Sequence, residues 1–149
     1  ILSLLNSQQP EFAGLNFPKA GTAAPNSPMN SELNVILFWA SWCDSCKGLI
    51  QEFHQLAKKH PDPLSKVRFI TISLDTDKKD LDQALKENSH RGLTVYWAGD
   101  KIDYKKFKFI PVTYLYSKTG RRLYYYHGAG GRMKEIPDSI LKYVSGSKS

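Results

Sequence analysis

The hydrophobic pattern of the chain changes period several times, and each change marks an element. Val35-Ile36-Leu37-Phe38-Trp39 is an unbroken apolar run, the pattern of a central strand buried on both faces. Directly after it, Cys46, Leu49, Ile50, Phe53, Leu56, Ala57 and His60 recur at three- and one-residue spacings, which is one face of an amphipathic helix. Pro61 and Pro63 are expected to end it. Val67 to Leu74 is β-branched and partly alternating, and reads as a second strand. Asp75 to Asp77 are placed to cap a helix through about Asn88, with Leu81, Ala84 and Leu85 facing inward. Leu93 to Trp97 predicts a short strand, and Asp100 to Phe107 a short helix. Pro111 then opens a strand through Tyr116, Lys118-Thr119-Gly120 turns, and Arg121 to His127 returns as a hairpin. Gly128, Gly130 and Gly131 form a loop. Ile136, Ile140, Leu141 and Val144 predict a last helix, with Pro137 tolerated in its first turn and the tail from Ser145 fraying.

Strands alternating with helices and closing in an antiparallel hairpin imply an α/β sandwich with a central mixed sheet flanked by helices. Residues 1–33, rich in Pro, Asn, Ser and Ala, read as an irregular arm with a short strand near Glu11 to Phe17. Residues 34–145 form the domain and residues 146–149 the tail.

Composition narrows the class. A chain of 149 residues fits one domain and buries roughly 68–70% of its unfolded surface, so it needs no disulfide to fold. The net charge of +7 is spread through small clusters such as Lys58-Lys59, Lys78-Lys79, Lys105-Lys106 and Arg121-Arg122. A nucleic-acid binder would concentrate that charge in one block among exposed aromatics. The basic surface suits solubility or an acidic protein partner instead. No apolar run approaches the ~20 residues that span a bilayer. The chain begins at Ile1 and carries no complete signal peptide, so an upstream segment, such as a membrane anchor, is expected to have been removed.

The chemistry lies in Cys43-Asp44-Ser45-Cys46, the only two cysteines, set where the apolar strand gives way to the helix. A thiolate, not a thiol, attacks a disulfide. The free N–H groups at a helix start stabilise that anion and pull the first cysteine's pKa from ~8.5 to as low as ~3.5–7. Cys43 is therefore the expected nucleophile. Cys46, three residues on and shielded by the next turn, is the expected resolving thiol. Zinc would need four ligands, and His54, His60, His90 and His127 are too distant in sequence for the usual spacing. A purely structural bridge over two residues closes too small a loop to stabilise much. Neither metal nor cofactor is called for.

Phe38 to Lys47 resembles the thioredoxin-fold active site, and more closely that of the extracytoplasmic thiol–disulfide oxidoreductases of the ResA, TlpA and DsbE group, the cytochrome c maturation type. Ile110-Pro111-Val112-Thr113 and the hairpin after it resemble that family's cis-proline loop. The resemblance covers about Asn34 to Val144. It implies a cis Pro111 beside the dithiol, and an Ile110 backbone able to pair with an extended substrate. It implies a docking surface of Trp42, Ile110 and Pro111, with Trp39 in the core.

The departures from the family pattern concern tuning. Ser45 replaces the usual proline and adds a hydroxyl that can donate to a sulfur. Asp44 puts a negative charge near Cys43 and opposes thiolate formation. Lys47 is positioned to support a thiolate or simply to be solvated. Leu37 and Leu49 stand where relatives carry acidic residues that move protons, and Glu52 points elsewhere. Gln51 replaces a helix-kinking proline, so the first helix should be straighter.

The expected activity is reduction of protein disulfides in a periplasmic or other extracytoplasmic compartment by a monomer. With no third cysteine, a separate redox partner must restore the dithiol. Two alternatives remain open: a disulfide-donating oxidase of the same fold, and a thioredoxin-fold binding module with little turnover.

Overall fold

The structure is a computed structural model, and it describes residues 32–87, 93–99, 105, 107, 109–119, 121–127 and 135–146. The elements run β1 (Leu33–Trp39), α1 (Asp44–Lys59), α2 (Pro61–Leu64), β2 (Val67–Ser73), α3 (Lys78–Glu87), β3 (Thr94–Trp97), β4 (Val112–Ser117), β5 (Arg122–His127) and α4 (Glu135–Gly146). The strands form one mixed sheet in the order β3-β2-β1-β4-β5. The first three are parallel, and β4 and β5 run antiparallel. This is the mixed-sheet α/β sandwich that the element pattern implied, in the thioredoxin-like arrangement that the resemblance implied.

The unbroken apolar run is the central strand, and all seven residues of β1 are buried. Strand alternation divides them between two cores. Leu33, Val35, Leu37 and Trp39 face α1, α3 and α4, where Leu49, Ile50, Phe53, Leu81, Ile136, Ile140 and Val144 complete the cluster. Ile36 and Phe38 face the other way, against Ile70, Ile72, Val112, Tyr114 and Tyr116. Each fully buried large apolar side chain contributes about 1.5–3 kcal/mol relative to exposure.

Several local expectations need correction. Pro61 and Pro63 do not simply end the helical run: α1 stops at Lys59, and Pro61 then opens the short α2, where a missing N–H costs nothing. Ala57 is exposed and His60 half-buried at the helix end, so the inward stripe closes at Leu56. The third helix starts at Lys78, capped by Asp77, whose Oδ1 accepts from Lys79 N at 2.9 Å. Asp75 takes no part in that cap. The last helix holds Pro137 in its first turn and continues through Ser145 to Gly146. The first strand begins two residues before the apolar run, at Leu33. The strand expected at Glu11 to Phe17, the glycine loop and most of the short helix at 100–107 lie outside the described residues.

Candidate functional site

Trp39 is the last residue of β1, and four residues later the chain enters α1. Parallel pairing puts β1 and β2 carboxyl ends side by side, Trp39 against Ser73, and Leu74 N donates to Trp39 O at 2.7 Å. On the other side of β1, Phe38 pairs with Val112 at the start of antiparallel β4. The segment before Val112 therefore lies against the segment after Phe38. That register brings Ile110-Pro111 to the cysteines across 67 residues of sequence.

Cys43 is itself the N-cap of α1, one position earlier than a first-turn residue. Its sulfur accepts from Cys46 N at 3.2 Å, which fills one of the donors a helix start leaves open. It is disulfide-bonded to Cys46. The two cysteines differ slightly in exposure: Cys43 is 7% exposed and Cys46 is fully buried. The Ser45 hydroxyl lies 3.4 Å from Cys43 Sγ, and with the sulfur in a disulfide the hydroxyl is the donor. The Ile110 carbonyl lies 4.0 Å from the same sulfur, and the Ile110–Pro111 peptide is cis.

Cys43, Cys46, Ser45, Ile110 and Pro111 thus converge. Trp42 does not fold in: it is 60% exposed at the mouth of the site, and Phe109 beside the proline loop is 53% exposed. Trp39 is fully buried. Asp44 is exposed on the first turn. Lys47 sits on that turn with its backbone N–H on Cys43 O at 3.2 Å, and among the described residues no ion pair joins its ammonium to a neighbour. Leu37 and Leu49 are fully buried in the core on the dithiol side, and Glu52 is exposed.

Asp75 was not legible as part of the site. Its carboxylate is buried just beyond β2 and binds the turn that carries the cysteines. Ser41 N donates to both oxygens, at 3.1 and 3.0 Å, and Ser41 Oγ donates to Oδ1 at 2.6 Å. Ser73 Oγ donates to Oδ2 at 2.7 Å. Period-two alternation carried a signal, since Ser73 and Asp75 share one side of the extended chain at a strand end.

A family model of thioredoxin-like proteins matches residues 30–114, more than half of the chain. The chain belongs to the thioredoxin-like family. No curated protein matches its sequence significantly. Among solved structures it is similar to a candidate thiol:disulfide interchange protein DsbE from Chlorobium tepidum. That match has 18% identity and a TM-score of 0.65, and covers 78% of this chain and 82% of that one. A secreted Mycobacterium tuberculosis disulfide oxidoreductase, homologous to E. coli DsbE, matches at 17% identity over 79% of this chain and 84% of its own, with a TM-score of 0.56. The C-terminal domain of a candidate thiol-disulfide oxidoreductase from Bacteroides thetaiotaomicron matches at 25% identity over 76% and 79%, with a TM-score of 0.57. The thioredoxin-like domain here carries a paired-cysteine motif in Cys43 and Cys46.

Proposed function

We propose that the protein is a thiol–disulfide oxidoreductase that reduces protein disulfides, with Cys43 as nucleophile and Cys46 as resolving thiol. The observation that carries this reading is the position of Cys43 Sγ. It caps a 16-residue helix, accepts Cys46 N–H, lies beside the Ile110 carbonyl, and belongs to the more exposed of the two cysteines. A helix start stabilises the thiolate that the reaction requires.

The proposed steps are those of thiol–disulfide exchange. In the reduced protein the Cys43 thiolate attacks one sulfur of a substrate disulfide. That S–S bond breaks, a mixed disulfide forms on Cys43, and the departing substrate thiolate takes up a proton. Cys46, as thiolate, then attacks Cys43 Sγ. The Cys43–Cys46 disulfide forms and the second substrate thiol leaves. Two electrons have passed to the substrate. A separate dithiol protein must return them, because the chain has only these two cysteines. Trp42, Ile110 and Pro111 form the docking surface, where the Ile110 backbone is placed to pair with an extended substrate strand. Asp44, Ser45 and Lys47 tune the dithiol.

The reductive direction is supported by Asp44, whose negative charge on the first turn disfavours the reduced thiolate and so favours handing electrons on. An extracytoplasmic setting, and a role such as keeping apocytochrome c cysteines reduced, is supported by the resemblance to the maturation-type proteins and by the secreted relative. Turnover of insulin disulfides with dithiothreitol as reductant, together with the midpoint potential, tests the reading. A potential near about −270 mV fits a reductant, whereas one near about −120 mV would make the protein a disulfide donor. Equal insulin turnover by wild type and Cys43→Ser would leave a binding module.

A further inference from the structure

Asp75 is, among the described residues, a buried carboxylate that the exchange steps leave without a task. It is 1% exposed. A carboxylate taken out of water is costly unless its oxygens are filled, and an apolar residue of similar size would serve packing better. Here both oxygens are filled, and the donors are informative. Ser41 supplies its backbone N–H and its hydroxyl, and Ser73 supplies a second hydroxyl. Ser73 Oγ in turn accepts Asp75 N at 3.1 Å, and Trp97 Nε1–H donates to Asp75 O at 2.7 Å. The carboxylate is thus held by Ser73 at the end of β2 and grips Ser41, while Trp97 of β3 holds the Asp75 main chain.

Ser41 lies inside a closed turn. Cys43 N donates to Ala40 O at 3.1 Å, so Ala40 to Cys43 move as one unit and Asp75 holds its middle. The next residue in that turn is Trp42. Its ring is 60% exposed and is carried by the backbone of that turn. We propose that Asp75 is a positioning residue. Through Ser41 it fixes the Trp42 platform beside Cys43, and it thereby favours protein disulfides over small ones. This rests on the disulfide-exchange reading above.

The test compares Asp75→Ala, Asp75→Asn, Trp42→Ala and the Asp75→Ala/Trp42→Ala double variant on two substrates, insulin and the small aryl disulfide dithiobis-nitrobenzoate. Loss of charge-assisted hydrogen bonds to Ser41 should lower kcat/KM on insulin about tenfold in Asp75→Ala, mostly through KM. The rate with the small disulfide should stay within about twofold, because Cys43 still caps α1. Asn retains an acceptor for Ser41 and should recover insulin turnover to within about threefold of wild type. The double variant should be no worse on insulin than Trp42→Ala, since both changes act through one platform. If Asp75→Ala is poorly folded, Ser41→Ala, which keeps the buried carboxylate and its backbone bond, should show the same substrate-selective loss at about threefold. Equal losses on both substrates, additive losses in the double variant, or wild-type insulin kinetics in Asp75→Ala and Ser41→Ala overturn the proposal. A wild type inactive on both substrates overturns the exchange reading itself, a distinct result.

Discussion

The backbone N–H of Cys46 donates to Cys43 Sγ at 3.2 Å, so the proposed nucleophile's own sulfur caps the helix that carries the proposed resolving cysteine. In the disulfide this contact only shapes the turn. On reduction the same N–H, with the rest of the first turn of α1, faces an anion. Alkylation of reduced Cys43 by iodoacetamide should therefore titrate below the free-thiol value of ~8.5. The sign is fixed by what is stabilised: the helix start favours the charged form, so the thiolate persists as pH falls. A titration at or above the free value contradicts this.

Ser45 contributes to the same sulfur from 3.4 Å. Ser45→Ala removes one donor to the thiolate, worth about 0.5–1.5 kcal/mol, so alkylation at neutral pH should slow by roughly two- to tenfold. The alkylation profile should move toward higher pH. Melting temperature should change little, because Ser45 is only partly buried.

Trp42 and Phe109 are exposed at the mouth of the site, at 60% and 53%. Phe109 also stacks on His127, with ring centroids 6.2 Å apart. Neither ring supports the core. Trp42→Ser or Phe109→Ser should change stability by less than about 0.5 kcal/mol, the ordinary range for surface positions. Each should raise KM for insulin, and denaturant midpoints measured beside the kinetics separate the two effects.

Core positions should behave in the opposite way. Phe53 on α1 packs on Phe69 of β2 with centroids 4.9 Å apart and is 1% exposed. Phe53→Ala should cost about 3–5 kcal/mol. Lys78→Ala removes an exposed pair with Asp82 at 3.4 Å and should cost less than about 0.5 kcal/mol. Urea unfolding curves read both.

A hydrogen bond ties the edge strand to the last helix: Tyr126 OH and Ser139 Oγ are 2.8 Å apart. Tyr126→Phe should destabilise by about 0.5–1.5 kcal/mol, and Ser139→Ala should add little once the tyrosine hydroxyl is gone. Full additivity in the double variant would show that the two hydroxyls act separately.

The central strand, the dithiol and the helix after it were legible because each has a strong local cause. A strand buried on both faces calls for an apolar run such as Val35 to Trp39, and a cap needs a side chain at a helix start. The partnership of Cys43 with Ile110 was visible only through family resemblance. It depends on the register of β1 with β4, which no local pattern encodes. Asp75 was misread for a related reason. Next to Thr76 and Asp77 it looks like one more helix cap, and only the strand order reveals that Ser41, 34 residues away, joins Ser73 in supplying its donors. Pro61 and Pro63 illustrate the converse. They do stop α1, yet a proline also suits the first position of a new helical turn, and α2 begins there.

The central claim is that Cys43 carries the substrate and Cys46 releases it. Its most direct measurement is mass spectrometry of the reduced Cys46→Ser protein after mixing with a disulfide-bonded protein substrate. The expected result is a stable covalent adduct linked through Cys43, absent from Cys43→Ser and cleared by dithiothreitol. No adduct on Cys43, or an equal adduct through Cys46 in the Cys43→Ser protein, would contradict it.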